Sequence, residues 1–156
     1  MTDDVRLVRE AIDAEALLTA VADADAGANV LFIGTTRGLT DGLATALLEY
    51  EAHEPMALAS LRRLRDEAVA RFELTACAIV HRLGEVPVGQ ASVGLATSAP
   101  HRRSAFAAGE WLMERIKREV PIWKCEEGPD GARAWVHPGG APEPDAGIAG
   151  GDVHAR

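Results

Sequence analysis

The sequence predicts an α+β domain in which packed helices cover a mainly antiparallel sheet. Short apolar runs are typical of strands, and two longer stretches have the three- and four-residue spacing of amphipathic helices. Turn residues join consecutive strands as hairpins. The resulting order of strand, helix, strand pair, helix and strand pair favours this class over a doubly wound sheet.

The first half of the chain supplies the first strands and two helices. Residues 5–8 alternate weakly, as an edge strand does, and Asp13 is a suitable N-cap for a helix through about residue 23. Residues 29–33 are an apolar run typical of a buried strand, and residues 46–52 form the next strand. A second helix starts at Pro55 and runs through about residue 71. Its predicted apolar face comprises Met56, Leu58, Leu61, Leu64, Ala68 and Phe72.

The second half supplies two strand pairs on either side of one long helix. Residues 75–82 and 90–97 are joined by a loop with turn residues, which predicts an antiparallel pair. Residues 122–126 and 132–136 flank the segment Glu-Gly-Pro-Asp-Gly and predict a second hairpin.

The long helix between these pairs carries the most distinctive charges. Ser104 is a suitable N-cap, and Pro121 ends the helix near Glu119, so Lys124 lies beyond it. Its predicted apolar face comprises Phe106, Gly109, Met113, Ile116 and Val120.

Basic residues lie at both ends of this helix. His101 and Arg102 stand at its start, where free backbone N–H groups and the helix dipole attract anions. Lys117 borders the apolar stripe, so its stem can lie along the core while the ammonium reaches an edge. The simpler interpretation is that these are solvated charges on an ordinary amphipathic helix, but their clustering favours an anion site.

Length and composition predict one soluble domain. The chain has 156 residues, of which 47% are hydrophobic and 26% are charged, and no apolar run is long enough to span a bilayer. We expect a cytoplasmic protein with no membrane partner. Residues 1–137 form the predicted domain, and residues 138–156, rich in Gly, Pro and Ala, form a predicted flexible tail.

The charge distribution argues against nucleic acid as a partner and for a small anion. The net charge is -8, yet residues 101–124 contain six Lys or Arg against three Glu. A local positive site in an acidic protein suits a small anion, or an acidic tail delivered into a cleft, better than a long polyanion.

The cysteines and acidic residues predict no metal site. Cys77 and Cys125 lack metal spacing and are expected as free thiols, with Cys125 a small strand filler rather than a nucleophile. The mixed spacing of Glu49, Glu51 and His53 matches no recognised ligand set.

Two further segments have a structural and a functional interpretation. The loop 34–42 contains three glycines and an arginine and is suited to wrap a ligand, but it lacks the Gly-Lys-Ser/Thr ending of a P-loop, and a hairpin loop is the simpler interpretation. His81, at the end of a predicted strand, is more simply a hydrogen-bonded structural histidine than a site residue.

Several segments resemble, in order and spacing over roughly residues 27–137, the large catalytic subunit of molybdopterin synthase. They are Phe32-Ile-Gly-Thr-Thr-Arg37, Leu48-Glu-Tyr-Glu-Ala52, His81-Arg-Leu-Gly84, Ala99-Pro-His-Arg102, Ile116-Lys117 and Pro121-Ile-Trp-Lys124. The resemblance implies an α/β hammerhead-type fold and a dimer of large subunits, with a small ubiquitin-like sulfur carrier bound at each end. The carrier's Gly-Gly C-terminus, as a thiocarboxylate, would enter the pocket and give its sulfur to cyclic pyranopterin monophosphate, forming the dithiolene of molybdopterin. The expected activity is a sulfurtransferase that needs no cofactor of its own.

The resemblance also implies the site residues. Lys117 and Lys124 match the two pocket lysines and are expected to be catalytic. The residues expected to bind substrate are Thr35, Thr36, Arg37, His101, Arg102, Cys125 and Glu126. Two anions must meet in such a pocket, and clustered basic groups offset their repulsion. Lys117 is suited to act as a general acid, to stabilise an oxyanion or to bond covalently to a carbonyl, and the sequence leaves these roles open.

This chain departs from the family pattern at three places. Thr36 stands where the family usually has Val, and Pro100 precedes His101. The C-terminal arginine that some members lend across the dimer has no counterpart here, which leaves Arg133 or His137 as substitutes. The alternative functions are a non-catalytic module that binds a phosphorylated small molecule or a partner's tail, and a structural subunit. A binding module has no need of both lysines.

Overall fold

The computed structural model describes residues 4–136 and the backbone of residues 142–144. These residues form three helices and eleven strands. In chain order they are β1 (Val5–Val8), α1 (Ala14–Ala20), β2 (Ala28–Thr35), β3 (Leu39–Thr40), β4 (Leu43–Ala44), β5 (Leu47–Ala52), α2 (Glu54–Phe72), β6 (Ala76–Arg82), β7 (Gly84–Pro87), β8 (Ala91–Ala99), α3 (Arg102–Glu119), β9 (Ile122–Glu127), β10 (Arg133–Val136) and β11 (Pro142–Pro144). The predicted α+β class is confirmed.

The first sheet lies between helices and contains the main core. Its strand order is β1-β6-β8-β2, with β1 parallel to β6 at one edge and the other pairs antiparallel. Helices α2 and α3 pack on one face, where Ile79 and Leu95 are fully buried, and α1 packs on the other. Gly94 permits the close approach of α1, because a Cβ there would lie 2.5 Å from Leu17 Cδ1.

The second sheet contains every remaining long strand. Its order is β11-β10-β9-β5-β7, and all its pairs are antiparallel. The predicted hairpin of β9 and β10 is confirmed. The sequence did not predict β7, which crosses from the β6–β8 pair of the first sheet to pair with β5.

The loop after β2 forms a small hairpin. Asp41 and Gly42, between β3 and β4, both have positive φ angles, of 50° and 80°. This is the conformation of a two-residue type I′ turn, which Asp-Gly favours. The predicted hairpin in this loop is therefore confirmed.

Caps explain where the first two helices begin and end. The Asp13 side chain accepts a hydrogen bond from Ala16 N at 3.0 Å, as predicted, but α1 ends at Ala20 rather than near residue 23. Asp23 instead accepts from Asp25 N at 2.8 Å and starts a turn. At α2, His53 is the N-cap and accepts from Met56 N at 3.4 Å.

The predicted apolar face of α2 is wrong at Met56, whose side chain is 58% exposed. Ala57 occupies the buried position in that turn, in line with Leu61, Leu64 and Ala68. These residues recur at spacings of three and four, so Met56, one residue before Ala57, is rotated out of the core.

The predicted start and face of α3 are wrong at Ser104 and Phe106. His101 is the N-cap without a side-chain cap bond, and the helix begins at Arg102, so Ser104 lies within the first turn. Phe106 is 63% exposed because the smaller Ala105 faces the sheet, where its carbonyl accepts a hydrogen bond from Thr97 Oγ1 at 2.8 Å. The other buried residues of α3 are Ala108, Gly109, Leu112 and Ile116. The predicted end at Glu119 is confirmed.

The predicted tail falls mostly outside the described residues. Its described part, Pro142–Pro144, pairs antiparallel with β10. None of the described helices is long and apolar enough to cross a membrane.

Candidate active site

A cleft of ≈ 380 Å³ lies between the second sheet and the C-terminal half of α3, beside the end of β2. The residues that line it are Phe32, Gly34, Thr35, Arg37, Thr40, Thr45, Leu48, Tyr50, His81, Ser92, Val93, Met113, Ile116, Lys117, Val120, Ile122, Lys124, Glu126 and Val136. The cleft therefore brings together segments that are more than a hundred residues apart in the sequence.

Three basic side chains enter this cleft from three elements. Arg37 follows β2, Lys117 comes from the last turns of α3, and Lys124 comes from β9. In the second sheet Lys124 is paired with Tyr50 on one side and Val136 on the other, and all three line the cleft. The pairing register thus directs the Lys124 side chain inward.

One carboxylate accompanies the basic groups. Lys124 Nζ lies 3.0 Å from Glu126 Oε1, because alternate residues of a strand share a face. The side chains of Lys117 and Arg37 have no hydrogen-bond or ion-pair partner among the described residues. Three cations against one carboxylate make the cleft a site for an anion.

His81 and Tyr50 form a wall of the cleft. Their rings meet edge to face, with centroids 5.0 Å apart, and His81 Nδ1 lies 2.9 Å from the carbonyl oxygen of Arg82. Burial lowers the pKa of His81 to about 4. The imidazole is therefore neutral at physiological pH.

Two residues expected to bind substrate have their side chains elsewhere. Thr36 is 3% exposed and does not line the cleft, although its backbone N–H donates to the carbonyl of Gln90 at 3.0 Å. Cys125 is buried on the opposite face of β9, between Lys124 and Glu126 in sequence. A one-residue step along a strand reverses the side-chain direction, so Cys125 cannot share their face.

His101 and Arg102 lie at the other end of α3. Fifteen residues separate Arg102 from Lys117, which is about 22 Å along a helix at 1.5 Å per residue. Both residues are exposed, and neither lines the cleft of its own chain. The structure therefore brings together Thr35, Arg37, Lys117, Lys124 and Glu126, and it separates Thr36, His101, Arg102 and Cys125 from them.

Arg133, one of the two residues named as substitutes for the cross-dimer arginine, does not line this cleft. Arg133 forms ion pairs with Glu49 and, at 3.7 Å, with Glu127, on the sheet face that faces away from Lys124. His137 lies outside the described residues. Within the described part of the chain, no group of three or more His, Cys, Asp or Glu is arranged to hold a metal ion.

Sequence reasoning missed several lining residues. Tyr50 and Ser92 belong to strands whose roles in the cleft depend on pairing. His81 is hydrogen-bonded, as predicted, and it also lines the cleft. The alternation of β5 offered one signal, since a polar aromatic between Glu49 and Glu51 must face away from both.

Comparison with known proteins identifies the family. Residues 7–119 match the family described as MoaE protein. The chain is 42% identical over 130 residues to the molybdopterin synthase catalytic subunit of Bacillus subtilis, covering 83% of this chain and 82% of that protein. It superposes on the crystal structure of molybdopterin synthase from Staphylococcus aureus with a TM-score of 0.82 and 38% identity, covering 87% of this chain and 98% of that one.

A more distant structure shares the fold. It is a protein–protein complex of subunits 1 and 2 of molybdopterin-converting factor from Helicobacter pylori, with a TM-score of 0.68, 20% identity, and coverage of 93% of this chain and 92% of that chain. The family match, the close relative and the resolved fold agree with the resemblance found in the sequence. The chain belongs to the MoaE protein family.

Proposed function

We propose that this chain is the catalytic subunit of a molybdopterin synthase. It would transfer sulfur from the thiocarboxylated C-terminus of a small carrier to cyclic pyranopterin monophosphate, forming the dithiolene of molybdopterin. The observation that carries this proposal is the convergence of Arg37, Lys117 and Lys124 in one cleft of a MoaE-family fold. The names of the Bacillus and Staphylococcus relatives support it.

The charge in the cleft suits the two reactants. The precursor carries a cyclic phosphate and the carrier ends in a thiocarboxylate, so two anions must approach each other. Arg37 can donate paired hydrogen bonds to phosphate oxygens, and the two ammonium groups offset the remaining repulsion. Such groups stabilise the transition state best where the cleft excludes bulk water.

The two lysines are held differently, which suggests different roles. Lys124 is fixed by Glu126 and is 33% exposed. Lys117 has no described partner and is exposed at the cleft, so its ammonium is free to reach an incoming acyl group. We assign Lys117 to the reacting carbonyl, as the group that meets developing charge, and Lys124 to fixed electrostatic support.

The mouth of the cleft suits docking of the carrier. The hairpin of β3 and β4 contributes Thr40 to the lining, while Leu39 and Leu43 are 61% and 74% exposed. Two exposed leucines beside a basic cleft provide an apolar contact for a globular partner whose C-terminal tail enters the cleft. The Helicobacter structure, a complex of two subunits, supports this partner.

A dimer of this chain would reconcile the position of His101 and Arg102 with a role in substrate binding. These residues are too far along α3 to reach their own cleft. A twofold dimer places the same surface of each copy against the other, so a helix start of one copy can complete the cleft of its partner. We therefore propose that His101 and Arg102 act in the partner's cleft.

The alternative is a non-catalytic module that holds a phosphorylated small molecule or a partner's tail. The unpaired Lys117 favours the enzyme, because binding alone does not require an unpaired ammonium beside a paired one. The buried free thiols Cys77 and Cys125 fit the reducing cytoplasm, which we propose as the location.

Reconstitution distinguishes these functions. Purified protein is mixed with thiocarboxylated carrier and cyclic pyranopterin monophosphate, and the dithiolene product and the carrier's terminal carboxylate are measured. The synthase forms two carrier carboxylates for each dithiolene, because a dithiolene contains two sulfur atoms and each carrier supplies one. A binding module binds the precursor in direct titration and forms neither.

A further inference from the structure

His81 is a buried ionisable side chain in the cleft that sulfur transfer, as proposed above, does not use. It is 7% exposed, and its Nδ1 lies 2.9 Å from the carbonyl oxygen of Arg82. A carbonyl oxygen only accepts hydrogen bonds, so Nδ1 carries the proton. In the neutral ring, Nε2 is then an unprotonated acceptor.

This acceptor is fixed in place and has no partner in the described part of the chain. The Arg82 carbonyl holds one ring edge, and the ring of Tyr50 meets His81 at 70° with centroids 5.0 Å apart. No described donor reaches Nε2. His81 lines the cleft, so a ligand bound there can supply the donor that Nε2 lacks.

The charged groups of the cleft differ from this neutral acceptor. Arg37, Lys117 and Lys124 only donate hydrogen bonds, and Glu126 is a charged acceptor whose Oε1 lies 3.0 Å from Lys124 Nζ. The described cleft is therefore rich in donors for an anion. The Ser, Thr and Tyr hydroxyls of its lining both donate and accept, whereas His81 Nε2 only accepts. A ligand that matches this pattern has a phosphate at one end and an N–H group on a ring at the other.

We propose that His81 Nε2 accepts a hydrogen bond from a ring N–H of the bound pterin and so positions the heterocycle. The proposal rests on the proposed function, since it takes the precursor as the ligand. The Tyr50 ring and the Arg82 carbonyl contact His81, and the charged residues named above line the same cleft. In this arrangement the basic residues bind the phosphate, and His81 orients the pterin ring.

Two variants separate the acceptor from the structural contact. His81→Asn keeps an N–H at the level of Nδ1 for the Arg82 carbonyl and has no atom at the position of Nε2. His81→Gln extends an amide to about the position of Nε2. Direct titration should show precursor binding about tenfold weaker in His81→Asn and a smaller loss in His81→Gln. Inhibition by inorganic phosphate should stay within about twofold of wild type in both, because phosphate needs only the cations.

A change in the ligand tests the same contact without changing the protein. A precursor analogue with methyl groups in place of the ring N–H protons should bind wild type about tenfold more weakly. His81→Asn should distinguish the two ligands much less. Equal binding of both ligands by the wild-type protein would overturn the proposal. This comparison needs no variant, so it holds even if neither variant folds.

The remaining outcomes are equally decisive. Unchanged precursor affinity in folded His81→Asn overturns the role of His81 and leaves the proposed function intact. An equal loss of precursor and phosphate binding would mean that His81 only supports the fold. If wild type binds no precursor at all, the proposed function fails, and the role of His81 fails with it.

Discussion

Lys124 forms an ion pair with Glu126 from the same face of β9, with Nζ and Oε1 3.0 Å apart inside the cleft. The pair is two-thirds or more buried on both sides, so it is screened less than a surface pair. It holds one lysine in place and leaves Lys117 as the unpartnered ammonium of the described cleft. This asymmetry gives separate predictions for the lysines and for the carboxylate.

Lys117→Ala should reduce turnover by at least about a hundredfold, because it removes the group assigned to developing charge. The free energy of unfolding should change by less than about 0.5 kcal/mol, since the Lys117 side chain is exposed and unpaired. Steady-state assays with saturating precursor and carrier measure the first effect, and urea unfolding measures the second. The control is Arg118→Ala, an equally exposed neighbour outside the cleft, which should keep wild-type turnover. Wild-type turnover in Lys117→Ala would remove this residue from the catalytic role.

Glu126→Gln should strengthen binding of inorganic phosphate, because it removes the carboxylate that opposes three cations. We expect a gain of about two- to tenfold at low salt, falling as ionic strength rises. Calorimetric titration at two salt concentrations checks both parts. Glu127→Gln is the matched control, since Glu127 lies on the opposite face and pairs with Arg133. Weaker phosphate binding in Glu126→Gln would mean that the carboxylate's orientation of Lys124 outweighs its charge.

Thr36→Val should stabilise the protein by about 1 kcal/mol. The Thr36 hydroxyl is buried and has no hydrogen-bond partner among the described residues, and Val has almost the same shape without the polar atom. Thr97→Val is the control, because Thr97 is equally buried but its hydroxyl donates to the Ala105 carbonyl at 2.8 Å. That variant should lose stability. Urea unfolding of both proteins gives the comparison, and a destabilised Thr36→Val would show that the hydroxyl is satisfied in solution.

Acid should destabilise the fold through His81. Its pKa is about 4 in the folded protein against an ordinary value of 6.5, so the unfolded chain binds the proton first. Stability is therefore lost as pH falls from 6.5 to 4, by roughly 3 kcal/mol from this residue alone. His81→Gln removes the titrating group, and its free energy of unfolding should decline less over this range. Parallel curves for the two proteins, measured by urea unfolding at each pH, would contradict the lowered pKa.

The sequence predicted elements better than it predicted the facing of side chains. Proline and capping residues act locally, which is why the end of α3 at Glu119 and the cap at Asp13 were predictable. The predicted burial of Phe106 and Met56 was wrong because the helices of this fold pack closely against the sheet. Alanine at the neighbouring position lets a helix approach the sheet, and hydrophobicity alone favours the larger side chain.

The site residues were likewise predicted in part. Arg37, Lys117 and Lys124 could be predicted from charge and resemblance. The facing of Cys125 depends on the pairing of β5, β9 and β10, which spacing alone does not give. The exclusion of Arg102 follows from the length of α3, and a single-chain interpretation of the basic stretch could not account for it.

Arg102→Ala should weaken precursor binding by about 1.5–3 kcal/mol, the value of one lost charge-assisted contact, with less effect on turnover at saturation. Added salt should weaken binding more in wild type than in this variant, because salt screens the contact that the variant lacks. If titration at low salt finds unchanged affinity, Arg102 does not bind the substrate anion, and the basic helix start more simply docks the carrier.

Mixing two defective variants then tests whether Arg102 acts across a dimer. Lys117→Ala and Arg102→Ala are unfolded together, refolded at equal amounts and assayed at subsaturating precursor. If Arg102 serves the partner's cleft, each mixed dimer regains one cleft with both residues intact, and about a quarter of wild-type activity returns. If Arg102 serves its own chain, every cleft still lacks one residue, and the mixture shows only the average of the two separate variants. Each single variant, refolded alone, is the control for activity lost during refolding. Recovery requires that the intact Lys117 of one copy and the intact Arg102 of the other meet in one cleft, an arrangement that one chain cannot form across the length of α3.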